Sequence, residues 1–232
     1  MKRFYKQAAA APVDGGWQVM LDGRGVKSVG GRPQVVPTQA LAEAMAAEWG
    51  AQGEEIDPAG FILRDQADYA IDVVAPDPGK AVAALLAFAG SDTLCYRADP
   101  EDALFRRQQD VWEPLLGALE TAEGVRFERI SGIIHRRQPE ATLARLQARL
   151  DEYDPFTLAA LGTMASLAAS LCIALAALDP AADSAALWQA ANLEEVWQAE
   201  LWGEDVQAAE RLARRGLEFA TAREFAQMVR TG

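Results

Sequence analysis

Between residues 150 and 210 the chain has no lysine and no arginine, yet that block carries eleven carboxylates and accounts for almost all of the formal net charge of -12. Such an acidic balance excludes a nucleic-acid binder, because phosphate contacts need a basic footprint. It also works against adsorption to anionic membranes. A basic or charge-mixed protein partner stays open. Histidine is nearly missing: His135 is the single one, beside Arg136 and Arg137, and serves poorly as the base of a catalytic triad. The two cysteines, Cys95 and Cys172, lie far apart and show no metal-ligand spacing, which excludes a disulfide framework and favours a reducing compartment. No calcium-loop spacing, Walker loop or dinucleotide fingerprint occurs, so neither metal nor nucleotide cofactor is expected. No apolar core segment follows Met1-Lys2-Arg3-Phe4-Tyr5, so a secretory signal is not expected. The expected location is the bacterial cytoplasm, or the mitochondrial matrix for a mature organellar form.

What is present divides into two patterns. Over the first 36 residues the pattern is β. Trp17-Gln18-Val19-Met20-Leu21 alternates as a half-buried strand does, and Asp22-Gly23 signals a tight turn. Phe4 to Ala8 and Gln34-Val35-Val36 supply further candidate strands. Residues 1 to 32 hold six basic residues against two acidic ones, opposite in sign to the 150–210 block. From Thr38 onward the period is helical. Thr38 is placed to cap a helix whose Leu41, Met45, Glu48 and Trp49 share one face.

Five Asp-Pro pairs can open helices, since aspartate caps and proline fits the first turn. They divide the rest into segments near 78–90, 100–123, 139–150, 155–178, 183–202 and 204–229. A small hairpin is expected across Val125 to Arg136, turning at Ser131-Gly132. The fold class is therefore α+β: a small β-rich N-terminal domain over 1–75 with one or two helices, then a larger, mainly α-helical C-terminal domain over 76–232.

Two features of the acidic block stand out. Phe156 to Leu178 is uncharged over 23 residues, long enough to span a bilayer. Its alanine, serine and threonine content and acidic flanks argue for a buried helix of a soluble bundle instead. Gly162, Ser166, Ser170 and Ala174 would form a small-residue stripe against neighbouring helices, so leucine at 162 or 170 would overpack it. The second feature is the helix around Glu194. Glu194, Gln198 and Trp202 stand at i, i+4 and i+8, while Leu193, Trp197 and Leu201 form the next stripe and should face the core. An aromatic rimmed by acidic and amide groups has the composition of an interface anchor. A plain structural role for the same residues is equally compatible with the sequence, as is a hydrolase if two acids from different helices face one pocket.

A resemblance spans nearly the whole chain. It runs through Arg3-Phe4-Tyr5, Trp17-x-Val19-x-Leu21-Asp22-Gly23-Arg24-x-Val26-Lys27, Val36-Pro37-Thr38, Glu48-Trp49, Ala70-Ile71-Asp72 and Asp92-x-Leu94-Cys95-Tyr96. It continues through Gln108, Trp112-x-Pro114-Leu115-Leu116 and Ser170-Leu171, and ends on Glu194-Glu195-x-x-Gln198-x-x-x-Trp202-Gly203-x-Asp205. In order and spacing this resembles the family of ATP synthase assembly chaperones that bind the α subunit of the soluble catalytic head. Two departures stand inside it: Phe61-Ile62-Leu63-Arg64 where the family often has Met-x-Leu-Thr, and Glu113 where aspartate is usual. The resemblance implies a monomeric, non-enzymatic chaperone that keeps the unassembled α subunit from aggregating until the β subunit replaces it. It further implies partner-binding residues among Glu194, Glu195, Gln198, Trp202 and Asp205, no catalytic residues, no metal and no membrane insertion.

Overall fold

The computed structural model describes residues 1–132, 136–203 and 205–231. They fall into two units, one built from Met1–Pro78 with Asp154–Ala160 and the stretch from Glu224 onward, the other from Gly79–Tyr153 and Leu161–Arg223. Small strands precede a largely helical remainder, an α+β fold.

In the first unit, β1 (Ala8–Val13) and β2 (Gly16–Leu21) form an antiparallel hairpin. A second tight turn at Asp22-Gly23, with both residues at positive φ, leads into β3 (Arg24–Gly25). β4 (Val35–Val36) pairs with Trp17 and Gln18 on the other end of β2. Gly16 is required there, because a Cβ would sit 2.4 Å from the Val36 carbonyl oxygen. The first strand begins at Ala8, not at Phe4 as expected. Residues 3 to 7 form no strand: backbone bonds hold the two ends, Arg3 N to Glu54 O and Asp22 N to Gln7 O, and side chains hold the rest, with Arg3 donating to Gln52 O at 2.6 Å, Tyr5 Oη donating to Trp49 O at 2.6 Å, and Asp22 accepting from the backbone of Lys6 and Gln7.

α1 (Gln39–Gly50) starts at Thr38, whose hydroxyl oxygen accepts from Leu41 N. Leu41, Met45 and Trp49 are buried, as the periodicity requires. Glu48 leaves that core to serve a neighbour: its carboxylate accepts from Leu63 N and Arg64 N, capping α2 (Ile62–Tyr69), which has no side-chain cap of its own. A π-helical turn over Ala70–Val74 follows.

The second unit is helical: α3 (Pro78–Gly90), α4 (Ala103–Glu123), α5 (Glu140–Leu150), α7 (Leu171–Ala176), α8 (Ser184–Ala191) and α9 (Leu193–Trp202), with most of α6 (Pro155–Ala168) and of α10 (Val206–Arg230). Trp112, Leu116, Leu146, Leu150 and Phe219 lie at its fully buried centre. β5 (Tyr96–Arg97) pairs in parallel with β6 (Ile130–Ser131). That pairing, across 34 residues of sequence, replaces the first strand of the expected local hairpin. The hairpin's return, with His135, lies outside the described residues.

The stretch 156–178 is not one helix. Ala169 adopts φ +48° and Ser170 caps α7, accepting from Ile173 N at 3.0 Å. A distant loop makes the break. Thr93 donates to Ala169 O through both its backbone N–H and its hydroxyl, and the fully buried Asp92 accepts from Cys172 N at 2.9 Å. Two helices of 14 and 6 residues result. Among the described residues no single helix is long and apolar enough to cross a membrane. The small-residue stripe is packed only in its second half: Ser170 and Ala174 are fully buried, but Ser166 is exposed, and a Cβ on Gly162 would meet nothing within 4 Å. The expectation of overpacking is thus reversed at this position. Gly162→Ala should be neutral or stabilise by up to about 1 kcal/mol, whereas Ser170→Ala should cost roughly 1 kcal/mol as a lost cap. Thermal melting of both variants checks the sign of each change.

Candidate partner-binding groove

The expected 183–202 helix is also two. Asn192, at φ −111° and ψ 23°, separates α8 from α9. Asn192 donates to Trp188 O through both its backbone N–H and Nδ2, closing the end of α8 at that carbonyl. α9 then makes its own approach to α4. Gln108 of α4, fully buried, donates from Nε2 to Glu194 at 2.7 Å while its Oε1 accepts from Ala98 N at 2.8 Å. Arg107 forms a two-pronged ion pair with Glu200 and lies over the Trp197 ring, its Cζ 5.4 Å from the centroid. The Arg107 hydrogen bond holds the Glu200 carboxyl below the usual carboxylate range.

These contacts rotate α9 from its expected orientation. The face turned to α4 is Glu194, Trp197 and Glu200, at i, i+3 and i+6. Of the stripe expected in the core only Leu193 is buried; Trp197 is half-buried and Leu201 is 56% exposed. The reason is that α4 meets α9 with an amide and a guanidinium, which select carboxylates over leucine. The exposed edge becomes Glu195, Gln198 and Trp202, at i, i+3 and i+7, with Trp202 78% exposed.

A groove of about 890 Å³ lies between this edge and the start of α10. Glu194, Glu195, Gln198, Trp202 and Asp205 all line it, so the five residues singled out from the sequence converge on one place. Their duties differ. Glu194 is tied to Gln108, Glu200 to Arg107, and Asp205 caps α10 by accepting from Gln207 N and Ala208 N. Among the described residues Glu195 is the one lining carboxylate with no hydrogen bond or ion pair. Val196, Ala208 and Leu212 supply apolar lining, and among the described residues no lysine or arginine lines the groove. Sequence reading missed the α10 wall, although Ala208 and Leu212 at i, i+4 carry the signal of a shared face. Apolar walls under an acidic, tryptophan-bearing rim suit a basic amphipathic segment of a protein.

Comparison with known proteins decides the family. The family described as "ATP12 chaperone protein" matches residues 2–120. The chain belongs to the ATP12 family of ATP synthase assembly chaperones. Atp12 from Paracoccus denitrificans has the same fold, with a TM-score of 0.94 and 34% identity over 99% of this chain and 98% of that one. The Atu1473 protein of Agrobacterium tumefaciens matches at 38% identity and a TM-score of 0.94, over 99% of this chain and 86% of that one. Among curated proteins, mitochondrial Atp12 of Schizosaccharomyces pombe is 26% identical over 87% of this chain and 74% of its own length. The ATP12 family match ends at residue 120, within α4, whereas the Paracoccus likeness extends through α9 and α10 and so includes the groove.

Proposed function

We propose that this ATP12-family chaperone binds the unassembled α subunit of ATP synthase, keeps it from aggregating, and yields it to the β subunit. It acts by binding alone, as a monomer, in the bacterial cytoplasm or the mitochondrial matrix, without metal or nucleotide and without a catalytic step. The convergence of Glu195, Gln198 and Trp202 on one acidic-rimmed groove, lined among the described residues by no lysine or arginine, carries the reading. A ring subunit exposes apolar surface before assembly, and such patches aggregate. An open groove with one free carboxylate and one exposed tryptophan offers a contact that a larger native interface can displace. A hydrolase reading is disfavoured, because three of the four described lining carboxylates are engaged within the chain. Capture of the purified protein's partners from a native lysate, identified by mass spectrometry, tests the assignment. The α subunit should dominate; its absence, with another protein captured in stoichiometric amount, would remove it.

A further inference from the structure

The first unit has a groove of its own, of about 620 Å³, which the proposed function does not use. Phe4, 64% exposed, and Val29, 88% exposed, give it an apolar border, and Trp49 and Tyr5 line it. Its charges are unequally committed. Asp22 is occupied by Lys6 N and Gln7 N, and Asp68 by Gln34 and Val29 N. Arg64 pairs with Asp65 and lies over the Phe61 ring at 3.8 Å. Arg24 and Lys27 are exposed and, among the described residues, take part in no ion pair. A groove in a chain of net charge -12 thus presents two uncommitted cations and no uncommitted anion. A second observation comes from Trp49, only 7% exposed. Its indole N–H is buried and finds no acceptor among the described residues, in a class of group that is nearly always satisfied.

We infer that this groove is a second docking site, which takes a protein segment with a carboxylate next to an aliphatic or aromatic side chain. The carboxylate is met by Arg24 and Lys27, the apolar side chain rests against Phe4 and Val29, and Trp49, which lines the same groove, reports the occupancy. Charge complementarity selects this occupant: the acidic α9 groove calls for a basic segment, and this one for the opposite sign. The inference goes beyond the proposed function and does not require the α subunit to be the source of the segment.

The probe is an acetylated, amidated heptapeptide alternating glutamate with leucine and phenylalanine, titrated into the ¹⁵N-labelled full chain. The Trp49 indole N–H signal, assigned with Trp49→Phe, should move saturably. An Arg24→Glu, Lys27→Glu double variant alters only exposed side chains and should keep its melting temperature while binding at least about tenfold more weakly. The glutamine version of the peptide should weaken to the same degree. An unmoved Trp49 signal would overturn the inference, as would equal binding of the neutral peptide or by the double variant. Inorganic phosphate giving the same shift at the same concentration would reassign the site to small anions and overturn the peptide docking. Loss of α-subunit protection in Glu195→Lys with unchanged peptide binding would separate this groove from the one on α9.

Discussion

Glu195→Lys is expected to abolish suppression of α-subunit aggregation while moving the melting temperature by less than about 2 °C. Glu195 is exposed and, among the described residues, has no partner to lose. Reversal puts a cation into a groove that, among the described residues, no lysine or arginine lines, so a basic partner segment meets like charge. Glu194→Lys behaves differently, although the two glutamates are adjacent. It removes the acceptor of the fully buried Gln108, and an orphaned buried donor costs roughly 1–3 kcal/mol. Its activity should fall together with its stability. Light scattering of aggregating α subunit, run beside thermal melting, separates the pair. A well-folded Glu195→Lys protein with full protective activity would clear this edge of any part in recognition.

The largest loss of stability is expected at Trp112. Its side chain is fully buried in α4, its indole N–H donates to Ala190 O at 2.8 Å, and the Arg97 guanidinium lies over its ring at 5.1 Å. Trp112→Ala should cost about 3–5 kcal/mol through the cavity alone, and it also orphans the Ala190 carbonyl three residues before α9 begins. Trp112→Phe keeps most of the volume and isolates the hydrogen bond, with an expected cost of roughly 1–3 kcal/mol. Urea denaturation measures both; a loss below about 1 kcal/mol for the alanine variant would mean that α4 does not anchor the end of α8.

The sequence made the local features legible and left the distant ones dark. The Asp22-Gly23 turn, the Thr38 cap and the start of α3 at Pro78 are set by residues within a turn of where they act. The break at Ala169 has no such signature, since alanine normally favours helix. It is made by Asp92 and Thr93, more than seventy residues earlier. The orientation of α9 was misread for the same reason. Leu193, Trp197 and Leu201 have the spacing of a core face, but Arg107 and Gln108 on another helix choose the carboxylates. Glu194, Glu195, Gln198, Trp202 and Asp205 were legible as a set because they lie within twelve positions of each other. Their separate duties were not, because each depends on a partner elsewhere in the chain.

Site-directed photocrosslinking tests the central claim most directly. A benzophenone amino acid replaces Trp202 in one protein and Glu140, an exposed residue of α5 outside the groove, in another. Each is irradiated with freshly diluted α subunit. The account predicts a strong adduct with the α subunit from position 202, weakened by Glu195→Lys, and little from position 140. Adducts of equal strength from both positions, or none from position 202 while the chaperone still prevents aggregation, would contradict it.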